Sequence, residues 1–179
     1  MMAALLEAML VDRLGAGGVQ IRSSGFGPLG LPPIDDAVDA MERRGLDVSA
    51  RRSSPTTASL VDGADVILTA ERAHVVKIAS LSRDAFRRAM TLPEFLSSAA
   101  MARDEHTDVP DEDGGHRVRR WTEQLTSSRT AGEYLRASIP EVADPTGSSP
   151  RAFEAAVVAI EQQCREVAAL IASRSRDVH

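Results

Sequence analysis

The order of apolar and polar positions along the chain predicts strands alternating with helices. In residues 1–14, MMAALLEAMLVDRL, Met2, Leu5, Leu6, Met9, Leu10 and Leu14 recur at helical spacing, and Gly15, Gly17 and Gly18 end the run. The pattern is already running at residue 1, with no Ser, Thr, Asp or Asn ahead of it to satisfy the first-turn N–H groups. Val19-Gln20-Ile21-Arg22 alternates and predicts a short strand, followed by a loop rich in Gly and Pro from residue 23 to residue 33. Asp35 or Asp36 is expected to cap a helix through Ala37, Val38, Met41 and Arg44, closed by Gly45. Pro55 is expected as the first residue of another short helix through Leu60 and Val61.

Val66-Ile67-Leu68-Thr69 is apolar but for its last residue, which suits a parallel strand buried on both faces. Residues 71–81 predict a helix, and Ala89-Met90-Thr91-Leu92 a second short strand leading into Pro93-Glu94-Phe95-Leu96. Such alternation indicates an α/β domain with a parallel sheet. The last helix has the clearest pattern. Phe153, Ala156, Val157, Ile160, Cys164, Val167, Ala168 and Ile171 form one stripe, with Gln162, Arg165 and Glu166 opposite. Cys164 lies on the apolar stripe without a neighbouring base, so it reads as a buried structural thiol.

Residues 97–138 break the alternation. Asp104, Glu105, Asp108, Asp111, Glu112 and Asp113 form an acidic half, and His116, Arg117, Arg119 and Arg120 a basic half that ends at Trp121. The acids lack the ligand spacing of an EF-hand loop. The basic half beside a tryptophan could contact a phosphate or an acidic partner, but a solvated insertion with self-complementary charges is the expected role.

Composition narrows the class. The chain has 179 residues, 43% of them hydrophobic and 26% charged, which fits a single globular domain covering residues 1–179. A net charge of −5 provides no overall basic field for nucleic acid or an acidic membrane. No apolar run is long enough to span a bilayer, and Glu7, Asp12 and Arg13 rule out a signal peptide in residues 1–14, so the expected location is the cytoplasm. One cysteine excludes an internal disulfide, and His74, His106, His116 and His179 are too scattered for a zinc set. No metal or cofactor is expected.

Two stretches carry a resemblance. One holds Arg22-Ser23-Ser24-Gly25 after the first predicted strand, a Pro-rich loop, Arg43-Arg44-Gly45-Leu46-Asp47-Val48-Ser49, and Ala64-Asp65-Val66-Ile67-Leu68. The other is Ala143-Asp144-Pro145-Thr146-Gly147-Ser148, directly ahead of the last helix. In this order they resemble the low-molecular-weight protein tyrosine phosphatases, which share a fold with one class of arsenate reductases. Glu71-Arg72-Ala73-His74 and Leu92-Pro93-Glu94-Phe95-Leu96 are similar to the middle of that family.

The resemblance implies a flavodoxin-like three-layer α/β/α fold with a parallel sheet. It also implies phosphomonoester hydrolysis at a loop of Cys, five residues, Arg and Ser or Thr, set between the first strand and the first helix. There, backbone N–H groups and a helix N-terminus hold the phosphate and lower the thiol pKa. The thiolate attacks phosphorus, and an aspartate protonates the leaving oxygen before serving as base for hydrolysis. By this resemblance Asp144 corresponds to the general acid and base, and Ser24 to a serine supporting the phosphate loop. Thr146 and Gly147 stand where tyrosine phosphatases often carry aromatics, and Arg51 where a histidine is often found.

No Cys-x5-Arg occurs in the chain, since Cys164 is followed at once by Arg165. Met2-Ala3-Ala4-Leu5-Leu6-Glu7 resembles the start of the family's first helix, so the expectation is a chain that opens inside that helix, with the first strand and phosphate loop missing. Such a chain is expected to be inactive. It is also expected to be poorly soluble, oligomeric or molten, with self-association through the exposed sheet. Two functions of different class follow: a phosphatase acting on a phosphorylated protein or small phosphomonoester when a longer form exists, or a non-catalytic binding or regulatory module on the same scaffold. An arsenate reductase-like relative is a further alternative that needs the same cysteine.

Overall fold

A computed structural model describes residues 1–102 and 113–175. The chain divides into two compact units, Met1–Thr56 with Ala143–Ala169, and Thr57–Val142 with Leu170–His179. Asp104, Glu105, His106, Asp108, Asp111, Glu112 and His179, singled out in the sequence, lie outside the described residues.

The first unit is helical. Helix α1 (Met2–Leu14) buries Ala4, Leu5, Leu6 and Leu10. No side chain caps it, and the Met1 carbonyl accepts the N–H groups of Ala4 and Leu5 at 3.0 and 3.1 Å. Gly15 closes it at φ 80°, a backbone angle that a Cβ disfavours. Helix α2 (Asp35–Glu42) buries Ala37, Ala40 and Met41. Its cap residue is Ile34, not Asp35 or Asp36; both aspartates lie in the first turn, where their charges meet the positive end of the helix dipole. Gly45 ends the turn beyond α2 at φ 72°, with Leu46 N–H bonded to Met41 O.

Helix α8 (Pro150–Ser175) gives Pro150–Ala169 to this unit, burying Phe153, Val157, Ile160, Cys164, Val167 and Ala168. The expected stripe is therefore the buried face, while Gln162, Arg165 and Glu166 are exposed. Charges join α2 to α8. Arg44 donates to Glu154 and Glu161, each at 2.7 Å, and Arg43 to Glu154 at 2.8 Å. The two arginines, Arg44 foremost, hold the Glu154 carboxyl below its usual 4.5. A folded pKa depressed in this way adds stability above the unfolded value that is lost as pH falls through the folded one. Replacing Arg44 with alanine is expected to cost about 1–2 kcal/mol at pH 7 and less in acid, read by urea unfolding at pH 7 and pH 3. An equal cost at both pH values would contradict this.

Val19-Gln20-Ile21-Arg22 is not a strand. Val19 and Ile21 are half-buried and Gln20 and Arg22 exposed, so the alternation is real. A strand also needs a neighbour to complete its ladder, and among the described residues no backbone hydrogen bond joins 19–22 to another segment. Pairing begins only at Gly25, in a parallel bridge with Pro55. Pro55 therefore does not start a helix. Helix α3 (Ala58–Asp62), in the second unit, starts after Thr57, whose hydroxyl accepts the Leu60 N–H.

The second unit is built on a βαβ element. Strands β1 (Ile67–Thr69) and β2 (Ala89–Thr91) pair in parallel, Ile67 with Ala89, Leu68 with Met90 and Thr69 with Thr91. Helix α4 (Arg72–Leu81) and a 3-10 turn (Asp84–Arg87) connect them. β2 is fully buried, whereas Ile67 and Leu68 of β1 are half-exposed. Helix α5 (Leu92–Met101) begins with a capping box, Thr91 accepting the Glu94 N–H and Glu94 the Thr91 N–H. Phe95 packs edge-to-face on Trp121 of α6 (Gly114–Leu125), with ring centroids 5.4 Å apart. Trp121 is therefore a core residue, with the Arg174 guanidinium over its ring. Helix α7 (Ala131–Arg136) buries Tyr134. No described helix is long and apolar enough to cross a membrane.

Candidate functional site

The residues that the resemblance assigns to chemistry lie in the first unit, each on a loop or at a helix end. Ser24 is exposed, and its hydroxyl and that of Thr56 share a hydrogen bond of 2.9 Å. Ser54 donates to Ser23 O at 2.8 Å, and Gly25 and Ser54 join through their backbones. Ser24 thus ties the turn after residues 19–22 to residues 54–56. Thr56 is 32 positions away in sequence, and no local signal marks it as the partner.

Asp144 is exposed and forms an Asx turn, with its carboxylate accepting the Thr146 N–H at 3.0 Å. Behind it Pro145 is buried, and its carbonyl accepts both the N–H and the hydroxyl of Ser148. Ser149 then caps α8 through the Ala152 N–H. The Thr146 backbone N–H, and then its side chain, hold the Asp144 carboxyl below the usual carboxylate range. Asp144 is therefore an anion at neutral pH. A nearby phosphate dianion would push its pKa upward and favour uptake of a proton from solvent.

Cys164 is fully buried on α8, and its thiol donates to Met2 O across 3.8 Å. Burial pushes the thiol pKa up to about 12, against a smaller opposing pull from the chain's amino terminus. At neutral pH it is a protonated, inert thiol. Arg51 pairs with Glu7 of α1 at 2.6 Å. The fold thus brings Cys164 and Arg51 to α1. Neither presents a nucleophile or a free anion site.

In the second unit, the segment leading toward Asp144 is fastened at the ends of both strands. Thr91 donates to Pro140 O at 2.6 Å, Val142 N–H to Ala70 O at 2.9 Å, and Glu141 accepts the Arg72 N–H at 2.7 Å in the first turn of α4. Glu141 could not be singled out as this tether from the sequence, since its partner is 69 positions away.

A cleft of about 440 Å³ in the same unit is lined by Asp62, Asp84, Arg87, Arg88, Arg119 and Glu123. Its charges are balanced. Arg88 and Arg119 both donate to the carbonyls of Asp62 and Ala64, closing the end of α3, and Arg119 pairs with Asp65 at 3.1 Å. Arg119 of the basic half is thus a structural brace. No described group of three His, Cys, Asp or Glu could hold a metal ion.

The sequence model of the family described as low molecular weight phosphotyrosine protein phosphatase matches residues 1–126. A probable low molecular weight protein-tyrosine-phosphatase EpsP of Ralstonia solanacearum is 44% identical over 52 residues, 28% of this chain; the matched chain spans 36% of that protein's length. Among solved structures, the YwlE arginine phosphatase of Geobacillus stearothermophilus is 20% identical with TM-score 0.66, covering 99% of this chain and 87% of its own. A Bacillus subtilis low molecular weight protein tyrosine phosphatase is 22% identical with TM-score 0.64, covering 98% and 90%. Wzb of Vibrio vulnificus, in complex with benzylphosphonate, is 16% identical with TM-score 0.62, covering 94% and 87%. At these identities the likeness to solved structures is one of fold.

Proposed function

The chain belongs to the low molecular weight phosphotyrosine protein phosphatase family, and on that premise we propose that its 179 residues form the part of a phosphomonoester-hydrolysing site that lacks the nucleophile. In this reading α1 is the helix whose N-terminus faces the substrate phosphate, Ser24 and Thr56 brace the phosphate-loop side, and Asp144 is the proton donor and later the base. The nucleophile is not among these residues. The observation that carries this reading is Cys164: fully buried, donating to a backbone carbonyl, and pushed up to about 12. A thiol so placed does not attack phosphorus. By itself the chain is then a binding or regulatory module on the phosphatase scaffold, and the alternative, an arsenate reductase-like reaction, needs the same nucleophilic cysteine.

The proposed architecture is the flavodoxin-like three-layer sandwich, with β1 and β2 as two strands of its parallel sheet and residues 97–138 as an insertion. The half-exposed Ile67 and Leu68 then mark a sheet edge open to self-association. The substrate class is a phosphorylated protein or small phosphomonoester. Thr146 and Gly147 offer no aromatic face to stack on a phosphotyrosine ring, so the preference is not drawn toward that side chain.

The test is hydrolysis of para-nitrophenyl phosphate by the 179-residue chain and its Cys164→Ala variant. Both are expected to show no turnover above buffer. Thiol-dependent turnover that disappears in Cys164→Ala would overturn the reading.

A further inference from the structure

The connection between α2 and α3 contains Arg51-Arg52-Ser53-Ser54. All four lie outside regular secondary structure, and Ser53 is exposed. Its hydroxyl donates to Pro28 O at 2.7 Å and accepts the Leu31 N–H at 3.0 Å. Its own N–H donates to Leu31 O and its carbonyl accepts the Gly30 N–H, each at 2.9 Å. Every polar group of Ser53 is therefore spent on residues 28–31. That segment and its continuation carry Leu29, Leu31 and Ile34 at 59%, 52% and 46% exposure. An exposed serine thus ties this apolar, proline-rich loop through two side-chain and two backbone hydrogen bonds. The cations beside it are accessible. Arg51 pairs with Glu7 while both side chains stay more than two-fifths exposed, and Arg52 donates to the carbonyls of Ser49 and Arg51.

We propose that Ser53 is a phosphorylation site for a serine/threonine kinase that reads arginine on the N-terminal side of its target, and that the phosphoryl group releases residues 28–31. In the transfer, Ser53 Oγ bonds to the γ-phosphorus of ATP while the bond from that phosphorus to the β–γ bridging oxygen breaks. ADP leaves, and the hydroxyl proton passes to the kinase's base. The ester oxygen left on Ser53 has no proton to donate to Pro28 O. The new dianion takes Arg51 and Arg52 as partners in place of the loop. Ser54 is the poorer acceptor, since it is half-buried where Ser53 is exposed. The proposal is independent of whether the chain hydrolyses phosphate esters.

The test treats the full chain with magnesium ATP and the catalytic subunit of cyclic-AMP-dependent protein kinase, mapping phosphate by tandem mass spectrometry. The expected result is phosphate on Ser53 that is absent in Ser53→Ala. The rate should fall about tenfold or more when Arg51 and Arg52 are both replaced by alanine. Ser53→Thr retains a hydroxyl and is expected to be phosphorylated at residue 53, so the loss in Ser53→Ala reports the acceptor and not the fold. Hydrogen exchange at the Gly30 and Leu31 amides should quicken about tenfold in the phosphorylated protein. No incorporation, incorporation confined to Ser54 or undiminished in Ser53→Ala, or phospho-Ser53 with unchanged exchange at Gly30 and Leu31 would each overturn the proposal.

Discussion

Replacing Arg129 with alanine is expected to destabilise the second unit by about 3–5 kcal/mol, the range for breaking one partner out of a buried ion pair. Arg129 pairs with Glu94 at 3.1 Å, with the two side chains only 11% and 12% exposed. It also donates to the carbonyls of Phe86 and Ala89 and lies over the rings of Phe86 and Tyr134. Removing it would leave the Glu94 carboxylate in a poorly solvated site with only the Thr91 N–H and the Tyr134 hydroxyl as partners, and would strip two carbonyls of their donor. Burial already pulls the Arg129 pKa down against the opposing pull of Glu94, and burial pushes the Tyr134 pKa up, so Tyr134 stays a neutral donor. Urea unfolding followed by the fluorescence of Trp121, the single tryptophan, reads this unit directly. The double variant Glu94→Gln with Arg129→Ala should recover part of the loss, because no charge is then stranded. A double variant as unstable as the sum of its singles would refute the pairing.

The second large effect is expected at Phe95. The side chain is fully buried and meets Trp121 edge-to-face. Phe95→Ala should cost about 3–5 kcal/mol through lost transfer energy and an unfilled cavity. Native Trp121 fluorescence should shift to the red as water gains access to the indole, and Phe95→Leu should restore more than half of the stability. Unchanged emission in a destabilised Phe95→Ala protein would show that Trp121 does not depend on this contact. Neither substitution touches the residues assigned to chemistry, so both test the scaffold alone.

The legible parts of the fold were those in which a short segment carries its whole signal. α1 and α8 were readable from spacing because a helix completes its backbone hydrogen bonds within itself, so an apolar stripe is enough to place it. β1 was readable because an unbroken apolar run with β-branched residues suits few settings other than a buried strand. The turn at Gly45 and the buried setting of Cys164 followed from equally local chemistry. At the candidate site, the Asp144-Pro145 pair and Ser24 could be singled out because their motifs are contiguous.

The failures share one cause. Residues 19–22 have the alternation of a strand, yet whether they become one depends on a neighbour that their own sequence does not name. Pro55 has the form of a helix start, yet a bridge to Gly25, 30 positions earlier, claims it for an extended conformation. Trp121 beside three arginines read as part of a solvated insertion with self-complementary charges, and only packing against Phe95 made it core. In the same way, Arg119 is a brace because Asp62, Ala64 and Asp65 converge on it.

The sequence alone determined helices α1, α2, α4 and α8, the two parallel strands, the family and the absence of a Cys-x5-Arg loop, since each is a property of contiguous residues or of composition. Only the tertiary structure decided that Ser24 is tied to Thr56, that Arg119 is a brace and that Ser53 holds residues 28–31. Those states rest on hydrogen bonds and burial supplied mostly by distant segments. Their energies depend on where the folded chain places its partners, and neighbouring residue types along the chain do not encode that placement locally.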